Sequence, residues 1–290
     1  LSCVYRIVHI SDLHFWRIPW NPLAWYGKRI LGLSNLILRR ARKFKLEAIP
    51  ELIQAIESDH PDHLVVSGDI STTSLESEFC AFERSFQPWL QDSRKATILC
   101  GNHDRYTRRV ARMRSFENHF ARFNGGGTTV FMNHLSDGLM LLGLDPCRPD
   151  PLFARGLVTS LMAEQLQKLV NSCQEQGAKV MIFVCHYPAE VPPQHEDHQK
   201  GHELREAGLL LEVLQTSPMP VYWLHGHIHH PWRFRSPRIP NLIYLNPGAP
   251  ILRRKHGYSL GRWILDWDGQ ELRTEWRSLP QAQGVLEDLA

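Results

Sequence analysis

The chain has 290 residues, 43% of them hydrophobic, enough for a substantial core in one large or two medium domains. A net charge of +3 makes the molecule only mildly basic, so overall charge points to no partner. Six scattered cysteines (Cys3, Cys80, Cys100, Cys147, Cys173, Cys185) with no C-x-x-C pair argue against a disulfide framework and for a reducing compartment, and no apolar run approaches a membrane span.

Residues 5–10 read as a strand that ends in Ser11-Asp12-Leu13-His14. Asp12 and His14 alternate by two, so an extended backbone points them to one side. Together they suit a divalent-metal half-site; a helix cap followed by a surface His fits those four residues equally well. No signal peptide is visible. The chain opens at Leu1 and not at Met, which leaves an upstream anchor open.

Residues 13–46 contain no Asp or Glu, but eight Lys or Arg and the aromatics Phe15, Trp16, Trp20, Trp25, Tyr26 and Phe44. Apolar residues recur there at roughly helical spacing before a basic end, as in an interfacial amphipathic helix with aromatic anchors. Three readings compete, in this order: contact with an anionic membrane surface, internal packing, and nucleic-acid binding. This segment is expected to be an inserted arm at about 15–46.

A helix is expected over 45–58, with Pro50 tolerable only near its first turn. A buried strand over 63–67 ends in Gly68-Asp69, and a helix over 75–90 follows. A strand over 96–99 runs into Gly101-Asn102-His103-Asp104. That alternation indicates an α/β sheet with right-handed crossovers, whose ligands gather at strand carboxyl ends. Beyond it the pattern predicts a basic helical stretch over 105–123 and strands over 128–132 and 139–144. A helix over 159–176 and a strand over 179–185 that presents His186 come next. Residues 187–206 read as a polar loop with His195, His198 and His202. A helix over 209–214 and a strand over 221–224 lead to His225-Gly226-His227-Ile228-His229-His230. Strands over 242–245, 259–267 and 271–276 close the chain, with turns at Asn246-Pro247-Gly248 and Asp268-Gly269. No repeat or linker divides residues 1–290, so one domain is expected.

Five strand ends therefore carry ligands for hard or borderline cations: Asp12 and His14, Asp69, Asn102, His186, and His227 with His229. The mixed N/O set lacks thiolates, which favours Mn, Fe or Zn over a structural zinc cluster. There are too many ligands for one ion. Two ions about 3.5–4 Å apart with a shared carboxylate would use them all. For His9, His225, His230, His195, His198 and His202, an ordinary core or surface role is the better reading.

In this order the motifs Asp12-Leu13-His14, Gly68-Asp69, Gly101-Asn102-His103-Asp104, His186 and Gly226-His227-Ile228-His229 resemble those of the calcineurin-like metallophosphoesterases, and Asn246-Pro247-Gly248 matches a further family turn. The resemblance spans nearly the whole chain. It implies a four-layer sandwich of two mixed β-sheets flanked by helices, with a dinuclear metal site at strand carboxyl ends. Asp12, His14 and His229 would hold one divalent cation and Asn102, His186 and His227 the other, with Asp69 bridging. Mn²⁺ is expected first, then Fe or Zn. A hydroxide between the cations would attack phosphorus in line. His103 would bind phosphate and protonate the leaving oxygen, with Asp104 orienting it. No ligand is missing, which argues against a non-catalytic scaffold.

The chain also resembles the family's UDP-2,3-diacylglucosamine pyrophosphatases of lipid A synthesis, cytoplasmic enzymes bound peripherally to the inner face of the membrane. These release UMP and 2,3-diacylglucosamine 1-phosphate. Their better-known branch carries Arg where this chain has His103. Competing expectations are a general phosphodiesterase or nuclease, and a non-enzymatic membrane-bound interaction module. No protein partner can be inferred.

Overall fold

The computed structural model describes residues 4–18, 43–150, 153–254, 257–258, 261–278 and 287–289. The expected interfacial helix of the arm, within 19–42, and Cys3 lie outside the described residues.

The first sheet contains β1 (Tyr5–Ile10), β2 (His63–Val66) and β3 (Ala96–Ile98), with β10 (Gly261–Trp267) and β11 (Leu272–Ser278) completing the order β11-β10-β1-β2-β3. The three N-terminal strands are mutually parallel, β10 adds antiparallel to β1, and β11 adds antiparallel to β10. The second sheet has the order β12-β8-β9-β7-β6-β5-β4. Its strands are β4 (Val130–Ser136), β5 (Leu139–Leu144), β6 (Val180–Val184), β7 (Val221–Leu224), β8 (Pro231–Arg235), β9 (Leu242–Pro247) and β12 (Glu287–Leu289). Strands β5, β6, β7 and β9 form its parallel centre.

Strand alternation explains why two sheets stack. On β6, Val180, Ile182 and Val184 enter one core cluster with Ile7, Val65, Leu245, Trp263 and Leu265 of both sheets. Met181 and Phe183 turn the other way, into a cluster shared with Leu166 and Val170 of helix α3 (Ser160–Glu175). On the first sheet, Val8, Ile10, Leu64 and Val66 join Leu52 and Ile56 of helix α1 (Ile49–Asp59) in the same way. Each such fully buried Val, Leu or Ile is worth about 1.5–3 kcal/mol, so the layer order follows from which residues are apolar on both faces. The result is the expected sandwich of two mixed sheets flanked by helices.

Differences from the sequence reading have local causes. Helix α1 begins at Ile49, after a 3-10 turn over Leu46–Ala48, which places Pro50 in its first turn where no backbone donor is needed. The expected helix over 75–90 divides at Phe86 into α2 (Glu76–Ser85) and a short helix over Gln87–Leu90 whose second residue is Pro88. The stretch 105–123 is three short pieces, interrupted where Arg114 takes a left-handed φ of 51°. The sequence reading missed β8. The described cysteines are all free thiols. Among the described residues no helix is long and apolar enough to cross a membrane.

Candidate metal centre

Five strands deliver the candidate ligands. Asp12 and His14 follow β1, Asp69 follows β2, Asn102 follows β3, His186 follows β6, and His227 and His229 follow β7. The first three strands belong to one sheet and the last two to the other, so the site lies where the carboxyl edges of both sheets meet. Past the strand ends the backbones remain stitched together. Asp12 N donates to Gly68 O at 3.0 Å, His14 N to Asp69 O at 2.9 Å, and Gly226 N to His186 O at 3.1 Å.

The backbone is forced into unusual shapes to aim these groups. Asp12, His14, Asp69, His227 and His229 all have positive φ, between 46° and 73°. Such conformations cost on the order of 1–3 kcal/mol each and persist only where surrounding structure imposes them. Two glycines make the close approach possible. A Cβ on Gly101 would collide with the Asp69 carboxylate, and one on Gly226 would collide with Ser11 and the Asp12 carboxylate. Asn246 supports the second turn, its Nδ2 donating to Gly226 O at 3.2 Å.

Two groups of potential ligand atoms result, each closed to within 4.8 Å: Asp12, His14, Asp69 and His229, and Asp69, His186 and His227. Asp69 is common to both. His14 Nε2 and His229 Nε2 face each other at 3.1 Å. The Asp12 carboxylate lies 3.3 Å from His229 Nε2, and the Asp69 carboxylate 3.7 Å from His14 Nε2 and 3.5 Å from His186 Nε2. Asn102 contributes a buried amide oxygen that accepts no hydrogen bond among the described residues.

Second partners set the tautomers. A carbonyl only accepts, so a ring nitrogen bonded to one carries the proton. His186 Nδ1 donates to Ser67 O at 3.0 Å and His227 Nε2 to His202 O at 2.9 Å. In the neutral form each ring has its lone pair on the other nitrogen, the arrangement metal-ligating histidines need. His186 Nε2 is buried with no hydrogen-bond partner among the described residues. Charge is balanced tightly: burial alone would raise Asp69, but His186, His103 and His14 hold it well below the carboxylate range. Burial pulls His186 down, yet the Asp69 carboxylate outweighs it and carries the ring up to about 9. His227, buried and beside His186, is pushed far below the ordinary imidazole value. Orphaned buried acceptors among carboxylates and imidazoles fit divalent cations.

His103 and Asp104 differ from the sequence expectation. The Asp104 carboxylate does not reach the His103 ring. It accepts from Ile70 N, Ser71 N, Ser71 Oγ and Gly101 N at 2.8–3.2 Å, tying the β2 loop to the β3 loop. Burial and the charge of Asp69 raise Asp104 to about 7. The group that orients His103 is the Thr72 carbonyl, 2.7 Å from Nδ1, while Tyr106 stacks on the ring at 5.5 Å. The four donors come from residues lying on both sides of a 30-residue gap, which no local pattern reveals.

A cavity of about 210 Å³ opens beside Asn102 and His103, lined also by Tyr106, Arg148, Lys200 and His202. The two ends of the arm meet beside the candidate ligands His14 and His229. Trp16 Nε1 donates to Phe44 O at 3.0 Å, and the buried Phe44 ring lies 4.5 Å from His14 and 5.7 Å from His229.

The family model for calcineurin-like phosphoesterase matches residues 5–231. No curated protein matches the sequence. Among solved structures, a dimetal phosphatase from Danio rerio is 12% identical with a TM-score of 0.59, the match covering 96% of this chain and 99% of that one. A purple acid phosphatase from seeds of yellow lupin (Lupinus luteus) is 13% identical with a TM-score of 0.60; the match covers all of this chain and 55% of that one. At those identities the likeness is one of fold.

Proposed function

Since the chain belongs to the calcineurin-like phosphoesterase family and is a metal-dependent phosphohydrolase, we propose that its substrate is an acylated nucleotide-sugar, UDP-2,3-diacylglucosamine, cleaved to UMP and 2,3-diacylglucosamine 1-phosphate at the inner face of a membrane. Asp12, His14 and His229 would hold one divalent cation, Asn102, His186 and His227 a second, and Asp69 both, with Mn²⁺ preferred to Fe or Zn. When bound, the pair supplies charge neutralisation at phosphoryl oxygens and a more acidic water. The chain's own contribution is positional. His103, fixed through Nδ1 by Thr72, would as an imidazolium give its Nε2 proton to the leaving oxygen. Asp104 holds the two loops that carry Asp69 and His103 in register. Arg148 and Lys200 add positive charge to the cavity wall, where a diphosphate would lie.

The observation that carries the choice of an acylated substrate is the convergence of both arm ends on the metal centre through Trp16 and Phe44. A basic, aromatic, carboxylate-free arm rooted there suits acyl chains next to an anionic head group. The test is UMP release from UDP-2,3-diacylglucosamine by Mn²⁺-loaded protein, compared with hydrolysis of a soluble aryl phosphodiester, before and after deletion of residues 18–40. Selective loss of the lipid reaction supports the reading. Equal loss on both substrates, or faster turnover of nucleic acid or cyclic nucleotides with a steep salt dependence, overturns it.

A further inference from the structure

Outside the metal centre, three histidines converge. His195 closes a 3-10 turn over Pro193–His195, and His198 follows three residues later on the short helix Glu196–Gln199. His230 lies between His229 and the start of β8. Their ring centroids are 4.9 Å apart for His195–His230 and 5.6 Å for each of the other two pairs. One ring nitrogen from each falls within 4.8 Å of the others, the same closeness that groups the ligands of the dinuclear centre. The edge of a tetrahedral zinc site is roughly 3.4 Å, given zinc–nitrogen bonds of about 2.0–2.1 Å, so the triad is within an ångström or two of closing on a cation.

The surroundings resemble a built site more than a chance surface cluster. His195 is 5% exposed and lies against the fully buried Trp232, centroids 4.8 Å apart; Trp232 packs in turn on His225. His230 is half-buried and His198 exposed, so the group has a walled side and an open side. Three imidazoles with no carboxylate or thiolate in the group favour Zn²⁺ over Mn²⁺ or Mg²⁺. An open fourth position would be left for water or another ligand.

We propose that His195, His198 and His230 form a third cation site, of Zn²⁺ type, separate from the dinuclear centre. Its consequence is mechanical. The segment bearing His195 and His198 also carries Lys200 of the cavity wall and His202, whose carbonyl fixes His227. His230 belongs to the turn bearing His227 and His229. A cation shared by the three therefore ties the cavity-wall loop to the turn that supplies two of the candidate ligands.

The experiment titrates Zn²⁺ into the Mn²⁺-loaded full chain, with bound Zn and retained Mn counted by elemental analysis. One Zn²⁺ is expected to bind per chain with no loss of Mn²⁺. His198→Ala, at an exposed position, should weaken that binding 10-fold or more, whereas Asp69→Asn should leave it in place. Amide exchange of residues 187–206 should slow on adding Zn²⁺ to the wild type and not to His198→Ala. The proposal is overturned if no extra Zn²⁺ binds, if Zn²⁺ binding survives His198→Ala unchanged, or if Asp69→Asn abolishes it.

Discussion

His103 Nδ1 lies 2.7 Å from the carbonyl oxygen of Thr72, so the proton on that nitrogen is committed to the backbone, and a proton the ring delivers to substrate leaves from Nε2. His103→Gln should therefore lower kcat by about 10²–10⁴ on a substrate with a poor leaving group. With a highly activated aryl leaving group the loss should shrink, because protonation matters less there. Bound metal, measured by elemental analysis, should be unchanged.

Asp104 makes the opposite prediction. Removing its carboxylate strands three backbone N–H groups, of Ile70, Ser71 and Gly101, in a buried loop junction, while Ser71 Oγ keeps the His103 carbonyl as acceptor. Asp104→Ala should cost on the order of 3 kcal/mol in stability, read as a fall in Tm. The limb of the kcat–pH profile set by His103 should not move. A shifted limb with unchanged Tm would restore Asp104 as the orienter of His103.

Gly226→Ala tests the close approach of two motifs. A methyl group there collides with Ser11 and Asp12, so the turn must swing away from β1 and take His227 N off the Asp12 carboxylate, which it now meets at 3.0 Å. The expected result is a 10-fold to 100-fold loss of metal affinity. Circular dichroism should show little change, since the strands themselves are untouched.

His63 sets an acid limit on stability. Burial takes its imidazole from the ordinary 6.5 to about 4, partly opposed by its bond to the Arg94 carbonyl at 3.0 Å. The unfolded chain then binds one more proton than the folded one between those values, so this contribution is complete above about 6.5 and is lost as pH falls through about 4. Denaturant midpoints measured across pH 4–7 should show that slope in the wild type. In His63→Asn, which keeps a donor near Arg94, the difference slope should vanish.

The candidate ligands were legible because each motif is local: an apolar strand, a tight turn, then the polar group. Stacking the two sheets face to face brings all five strand ends to one edge of the sandwich without any long-range code in the ligands themselves. The loop contacts were not legible. Thr72, Ser67 and His202 act through backbone carbonyls, which carry no residue signature, and Asp104 reads as a partner for its neighbour until the Ile70–Ser71 amides claim it. Strand β8 was missed because it begins at Pro231, immediately after the histidine run, where a strand start is hard to distinguish from a turn. The break at Phe86 comes two residues before Pro88, and that at Arg114 is a single left-handed residue; propensity over such short helical stretches resolves neither.

Between Asp12 and His14 sits Leu13, completely buried, and between His227 and His229 sits Ile228, 8% exposed. Each pair of ligands thus straddles an apolar peg driven into the protein, Leu13 into the main core and Ile228 against Val191 and Trp232. Neither pair can pivot without withdrawing its peg. Bite angle and hydrocarbon packing are one property in this molecule, and a conservative change such as Leu13→Val, silent in any reading that looks only for donors, should register first as a looser grip on the cation.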